Sequence, residues 1–204
     1  SPTSLILGRP TPIESKMVMP SPLCVTGDED ADALLNEDPL ALLIGMLLDQ
    51  QFPIEHAFLS PFRLQQRLGQ RLKTTLLADM SEERLIEIFA QKPALHRFPK
   101  SMAQRTQQMC TYLTDHYDGN PSAIWSDIAD AASLQQRLLR VPGFGDKKVK
   151  IFIAVLAKRF GVTPRGWKQA SGHYAKRGFH SVADLDSPEA LAKLRAQRTT
   201  AKHS

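Results

Sequence analysis

The fold is decided by the stretch Leu138-Leu139-Arg140-Val141-Pro142-Gly143-Phe144-Gly145-Asp146-Lys147-Lys148-Val149. Pro142 ends a helix because it disfavours helical backbone angles in the residue before it. Gly143 and Gly145 permit backbone angles and close approaches that a Cβ atom would block. Val141 and Phe144 can anchor the turn in the core. The pattern predicts two helices joined by a tight hairpin, over residues 134–160.

The second helix of this hairpin begins with amide groups that have no partner within the helix and lie at its positive end. Lysines follow at once, and a helix terminus of this kind binds phosphate groups. Such contacts position DNA without reading its sequence. The residues predicted to contact DNA here are Pro142, Gly143, Phe144, Gly145, Lys147, Lys148 and Lys150.

The charge of the chain changes sign at the hairpin. The net charge is +5. Residues 146–204 hold 13 Lys and Arg against 4 Asp and Glu, and residues 1–145 hold 13 against 17, or about +9 and −4. A basic segment of this kind is typical of a surface that binds a phosphate backbone. The alternative is a solubilising surface with a basic tail.

The remaining patterns predict an all-α protein, because no run alternates as a strand does. A helix over Leu40–Gln51 is apolar on nearly all sides and belongs in the centre of the fold. Ser60-Pro61 predicts a new helix start, and Trp167–Arg177 predicts a later helix. Residues 1–22, rich in Pro and Ser, are expected to be a flexible lead-in or a processing remnant before a domain over residues 23–204.

Several classes of protein are excluded by composition. The longest apolar run, Pro39 to Leu48, is too short to cross a hydrocarbon core of ~30 Å. Cys24 and Cys110 cannot form a disulfide framework, which favours the cytoplasm. Two cysteines also exclude a four-cysteine iron–sulfur cluster or zinc ribbon, and the histidines show no zinc spacing. We expect neither an iron–sulfur cluster nor zinc.

The hairpin and the earlier Leu47-Leu48-Asp49-Gln50-Gln51 together resemble the helix-hairpin-helix base-excision DNA glycosylases, the superfamily of endonuclease III. More narrowly, the chain is similar to a bacterial branch that carries a Leu-Leu-Ile-Gly-Met-Leu-Leu-Asp-Gln-Gln helix. The resemblance implies two helical lobes around a cleft that receives a base flipped out of duplex DNA. It also implies a monomer that works near the bacterial nucleoid.

The resemblance assigns roles by position. Lys147 matches the lysine that attacks the sugar C1′ in bifunctional members, or it contacts phosphate only. Gln50 and Gln51 match the helix end that fills the gap left by the base, or they are a solvated helix end. The backbone carbonyls of a monovalent cation site would be those of Leu139, Val141 and Phe144.

One departure from the family is serious. The acid that stabilises the sugar cation should follow the hairpin, but residues 161–174 contain no Asp or Glu. Asp49 is the candidate substitute, or it is an ordinary polar helix end. Phe52, Trp167 and Tyr174 could stack on an extruded base or simply pack the core. The leading hypothesis is a DNA glycosylase, with or without lyase activity, and the alternative is a non-catalytic protein that binds damaged or distorted DNA.

Overall fold

A computed structural model describes residues 20–202 of the protein. This part of the chain contains no β-strand, only an isolated bridge between Asp130 and Arg165. Its α-helices are α1 Glu29–Glu37, α2 Pro39–Leu48, α3 Ile54–Leu68, α4 Thr74–Asp79, α5 Glu82–Ala90, α6 Pro99–Tyr117, α7 Ala131–Leu139, α8 Asp146–Phe160, α9 Trp167–Ser171 and α10 Pro188–Lys202. Short 3-10 turns occupy Pro121–Ile124, Gly172–Ala175 and Val182–Asp184. The predicted all-α class is confirmed.

The buried apolar residues form a cluster that extends from Leu23 to Leu194. Helices α4 and α5 pack on α6, α2 packs on α3, and α8 packs on α9. Residues 1–19, most of the predicted lead-in, lie outside the described residues. No helix among those described is long and apolar enough to cross a membrane.

Helix α2 lies in the centre of the core, as its composition predicts. Every residue from Leu40 to Leu48 is buried. The Asp38 side chain accepts a hydrogen bond from the Leu40 amide at 2.9 Å and caps the helix. The predicted end at Gln51 is wrong, because α2 ends at Leu48. The Asp49 backbone leaves helical geometry and Gln51 adopts a φ of 51°, so residues 49–53 form a loop before α3.

Helix α3 is continuous where the sequence predicts a break. Pro61 lies inside it, and Ser60 does not act as an N-cap. The Ser60 hydroxyl donates to the carbonyls of His56 (2.9 Å) and Leu95 (2.5 Å) instead of accepting from amides. Because the buried hydroxyl has these partners, the proline is held within a packed helix and starts no new one.

The hairpin between α7 and α8 matches its prediction closely. Val141 and Phe144 are buried, and the Phe144 amide donates to the Val141 carbonyl at 3.1 Å. Gly143 adopts a φ of 90°, and a Cβ atom there would lie 2.3 Å from Leu47 Cδ1. Gly145 differs from expectation: its φ is −93° and a Cβ atom would meet nothing within 4 Å. The turn therefore requires glycine at position 143. At position 145 the turn has free space around the backbone, and a side chain would fit there.

The segment after α8 is less regular than predicted. Helix α9 ends at Ser171, because Gly172 adopts a φ of 58°, and a 3-10 turn follows it. The predicted helix over Trp167–Arg177 is therefore too long. Helix α10 follows after the last 3-10 turn and extends from Pro188 to Lys202.

Candidate functional site

A cavity of about 690 Å³ lies between the hairpin and the loop that joins α2 to α3. One wall is the N-terminal turn of α8, and the facing wall is the loop from Asp49 to Phe52. The structure thus brings together the two sequence motifs, which are about ninety residues apart in the chain. The lining residues are Met46, Asp49, Gln50, Gln51, Phe52, Gly145, Asp146, Lys147, Lys148, Ile151 and Arg198.

The hairpin presents an uncapped helix terminus to this cavity. Gly145 is the N-cap of α8 and no side chain caps the helix, so the first amides are available to a ligand. Asp146, Lys147 and Lys150 are exposed around this terminus. With no Cβ at Gly145, a phosphate group has direct access to the backbone.

Lys148 has a different environment from the neighbouring lysines. Its ammonium points back into the protein and donates to the carbonyls of Met46 and, at 3.0 Å, Leu47. Burial lowers the pKa of Lys148 to about 8, and Asp49 opposes this shift. The residue predicted to contact phosphate therefore anchors the C-terminus of α2 to α8. The predicted phosphate contacts that remain exposed are Lys147 and Lys150.

Asp49 is a half-buried carboxylate in the wall opposite the hairpin. Burial raises the pKa of Asp49, and the positive charges of Lys148, Arg198 and Lys147 oppose that shift. Within residues 20–202 no basic side chain forms an ion pair with it within 4.0 Å. The carboxylate therefore lies in a cationic cleft with capacity to interact with a bound molecule.

The two glutamines of the loop are not equivalent. The Gln50 side-chain amide donates to the Leu47 carbonyl at 2.9 Å, and its oxygen accepts from Arg105 at 3.0 Å. Gln51 is exposed, and its backbone adopts a positive φ. Both glutamines line the cavity, but of the two only the Gln51 side chain has no hydrogen-bond partner among the described residues.

His96 holds the loop of residues 49–53 through hydrogen bonds to backbone carbonyls. The sequence did not identify it as a site residue. Its Nε2 lies 3.0 Å from the Leu48 carbonyl and 3.1 Å from the Gln50 carbonyl. Its Nδ1 accepts from the Phe98 amide at 3.0 Å, so the proton of the neutral ring is on Nε2. Burial lowers the pKa of His96. A lone histidine between Leu95 and Arg97 carries no sequence signal for this role.

The aromatic candidates are divided between two places. Phe52 lines the cavity and stacks against His96, with ring centroids 4.6 Å apart. Phe98, which is 43% exposed, also contacts the His96 ring, with centroids 6.0 Å apart. Trp167 and Tyr174 pack against the core and do not line this cavity. The structure does not bring these two to the cleft.

The first carboxylate in the sequence after α8 is engaged with other residues. Asp184 is the next acid in sequence, and its side chain binds the Lys158 ammonium at 2.7 Å and the His180 amide at 2.8 Å. That carboxylate caps a 3-10 turn and is almost fully buried. The acids that line the cavity are Asp49, on the loop, and Asp146, at the start of α8.

Comparisons with known proteins give similarity in structure only. No family model matches the sequence, and no curated protein matches it. A trapped endonuclease III–DNA covalent intermediate is similar, with a TM-score of 0.44 and 18% identity over 81% of this chain and 73% of that one. A thermostable thymine-DNA glycosylase is similar with a TM-score of 0.40 and 11% identity, over 77% of this chain and 70% of that one. Similarity at these identities does not establish which reaction this protein catalyses.

Proposed function

We propose that this protein binds duplex DNA through the α7–α8 hairpin and removes a base from a nucleotide that has left the helical stack. The observation that carries the proposal is the shared cavity, where the open terminus of α8 and Lys147 face Asp49 and Gln51. Its volume of about 690 Å³ is within the range of pockets that enclose small organic groups. A base has to leave the stack to reach such a pocket.

The hairpin is suited to hold the DNA backbone. The uncapped amides at Gly145 and the exposed Lys147 and Lys150 offer hydrogen bonds and positive charge to phosphate oxygens. Outside the helices of the described residues, no backbone amide donates to the carbonyls of Leu139 or Phe144, whereas the Val141 carbonyl accepts from the Phe144 amide at 3.1 Å. This donor set fits the monovalent cation that the resemblance implies. Such an ion would add positive charge for a phosphate oxygen.

Asp49 is the proposed source of electrostatic catalysis. During base removal the bond between C1′ and the base nitrogen breaks, and its electron pair leaves with the base, which takes up a proton. The sugar then carries positive charge shared by C1′ and O4′, which an ionised carboxylate stabilises. Water adds to C1′ and releases a proton, which completes the hydrolysis.

Lys147 is the proposed nucleophile for Schiff-base formation, the step that precedes strand cleavage in a lyase reaction. Its neutral amine adds to C1′ in place of water and loses a proton. The nitrogen lone pair then forms a C1′=N bond while the C1′–O4′ bond breaks, and O4′ takes up a proton. Borohydride supplies a hydride to this Schiff base and leaves a stable secondary amine between protein and DNA.

Two substrates separate these steps. Duplexes with uracil, mispaired thymine, an oxidised pyrimidine or 8-oxoguanine report base release, and a duplex with a preformed abasic site reports trapping alone. We expect Lys147→Ala to abolish trapping on every substrate, and Asp49→Asn to abolish base release but retain trapping at the abasic site. Lys73→Ala is the matched control, because Lys73 lies beside Asp38 and Leu40 and does not line the cavity. Absence of both base release and trapping on all substrates would overturn the enzymatic proposal.

A second candidate function is non-catalytic recognition of damaged or distorted DNA by the same hairpin. It is favoured by the absence of an acid in residues 161–174 and by the engagement of Asp184 with Lys158. Gly145→Glu should weaken binding to all sequences, since a Cβ there meets no atom and the carboxylate repels phosphate. Gly145→Ala is the control and should bind DNA nearly as the wild type does. Affinity that is independent of salt would contradict both functions.

A further inference from the structure

Helix α10 extends well beyond the residues that hold it in the core. Ala190 and Leu194 are its buried residues, and every described side chain after Leu194 is exposed. The helix nevertheless continues through Lys202, about 12 Å past Leu194 at 1.5 Å per residue. Most of the stability of a helix comes from packing of an apolar face. Its last two turns add no buried apolar side chain to the fold.

A contact with α3 shows where this extension lies in the fold. Arg195 forms an ion pair with Glu55, in the first turn of α3 and just after the loop of residues 49–53. Residues three apart on a helix are neighbours on one face. Arg198 therefore lies one turn further along the same face, and it lines the cavity beside Asp49 and Lys147.

Arg198 is a cation available for binding at this position. Within residues 20–202 no carboxylate forms an ion pair with it within 4.0 Å. The charged groups of the cavity that surround it are Asp49 on the loop and Asp146, Lys147 and Lys148 on α8. Its charge acts on Asp49, where it favours the ionised form.

We propose that α10 forms a third wall of the DNA cleft and that Arg198 binds a DNA backbone phosphate next to the extruded nucleotide. This inference rests on the proposed function. The α7–α8 hairpin binds the DNA strand at one wall of the cleft, and Arg198 binds the same strand from α10. A planar guanidinium with a fixed fork of donors suits bidentate binding of a phosphate better than an ammonium does.

The test compares binding of two duplexes that differ only in one tetrahydrofuran abasic site, followed by fluorescence anisotropy over a range of salt concentrations. Arg198→Ala should weaken binding to the abasic duplex roughly tenfold at low salt, because it removes a charge-assisted contact. The slope of log affinity against log salt should fall by about 1. Arg198→Lys should retain most of the slope.

Lys193→Ala is the matched control. It removes one positive charge from the same helix, but the Lys193 ammonium lies over the Phe179 ring at 4.9 Å, away from the cleft. Equal effects of Arg198→Ala and Lys193→Ala would overturn the inference. So would a loss of affinity in Arg198→Ala with an unchanged salt slope, which would assign Arg198 to Asp49 instead of a phosphate. If the wild type binds neither duplex at low salt, the proposed function itself fails.

Discussion

Lys147 and Lys148 are adjacent in sequence but have opposite surroundings. The side chain of Lys147 is exposed in the cleft, whereas the ammonium of Lys148 is held by two carbonyls at the C-terminus of α2. A cation at that position also complements the negative end of the α2 dipole. The nucleophile proposed for the reaction therefore stands beside a lysine that keeps the two cleft walls together.

The lowered pKa of Lys148 predicts a dependence of stability on pH. Its pKa is about 8 in the folded protein against 10.5 for an ordinary lysine, so the unfolded chain binds more protons between these values. The free energy of unfolding should therefore rise with pH in this window. Between pH 8 and pH 9.5 we expect the wild type to gain about 2 kcal/mol relative to Lys148→Met.

Urea unfolding of both proteins at the two pH values measures this difference. Other groups that titrate near this pH range are common to both proteins, so their contributions cancel in the difference. A constant or narrowing difference between wild type and variant would show that Lys148 is not desolvated as described.

Substitution by alanine should affect stability very differently at the two hairpin glycines. Gly143→Ala places a Cβ 2.3 Å from Leu47 Cδ1 on a backbone with a φ of 90°. Strain and overpacking together should cost about 2–4 kcal/mol of stability. Gly145→Ala has open space and an ordinary φ, so its effect should stay within about 0.5 kcal/mol. Thermal and urea unfolding check both values, and equal losses would contradict the described turn.

At the scale of elements, the loop of residues 49–53 depends on His96 for its shape. His96→Phe keeps an aromatic ring between Phe52 and Phe98 but leaves the Leu48 and Gln50 carbonyls without this donor. Losing such a buried partner costs about 1–3 kcal/mol. We expect faster amide hydrogen exchange in residues 49–53. His96→Gln, which keeps a donor, should show a smaller change, and unchanged exchange in both variants would assign the loop geometry to other contacts.

The elements that the sequence predicts well are those with local causes. The hairpin follows from Pro142 and Gly143, and α8 ends at Phe160, where the predicted hairpin segment 134–160 ends. The end of α2 was wrong because the contacts that fix it come from residues 48 and 101 positions away, His96 and Lys148. The pattern of apolar residues around Asp49 depends only on neighbouring positions, so it cannot indicate a contact with His96 or Lys148.

Contacts between residues distant in sequence also determine the continuity of α3 and the location of the cleft. Ser60-Pro61 has the local form of a helix start, but the distant Leu95 carbonyl engages the serine hydroxyl. Similarly, Trp167 and Tyr174 carry the residue types of a base pocket, yet folding places them away from the cavity that Arg198 lines. Residue type alone therefore did not predict which aromatic side chains line the cavity.

At the scale of the whole molecule, the separation of charge predicts that position decides DNA affinity more strongly than net charge does. Lys150 lies on α8 beside the hairpin, and Lys73 lies beside Asp38 and Leu40 at the N-terminal end of α2. The cleft is at the opposite end of α2, about 15 Å away along a helix of ten residues. Lys150→Glu and Lys73→Glu each change the net charge from +5 to +3.

Because the Debye length is about 8 Å at physiological ionic strength, the distant charge is largely screened from the bound DNA. Lys150→Glu should therefore weaken binding to duplex DNA roughly tenfold or more and flatten the salt slope, whereas Lys73→Glu should change affinity less than twofold. Anisotropy titrations of the two variants at one ionic strength make the comparison, with circular dichroism to verify folding. Equal losses in the two variants would mean that net charge alone attracts the DNA, and the hairpin would then have no special part in binding it.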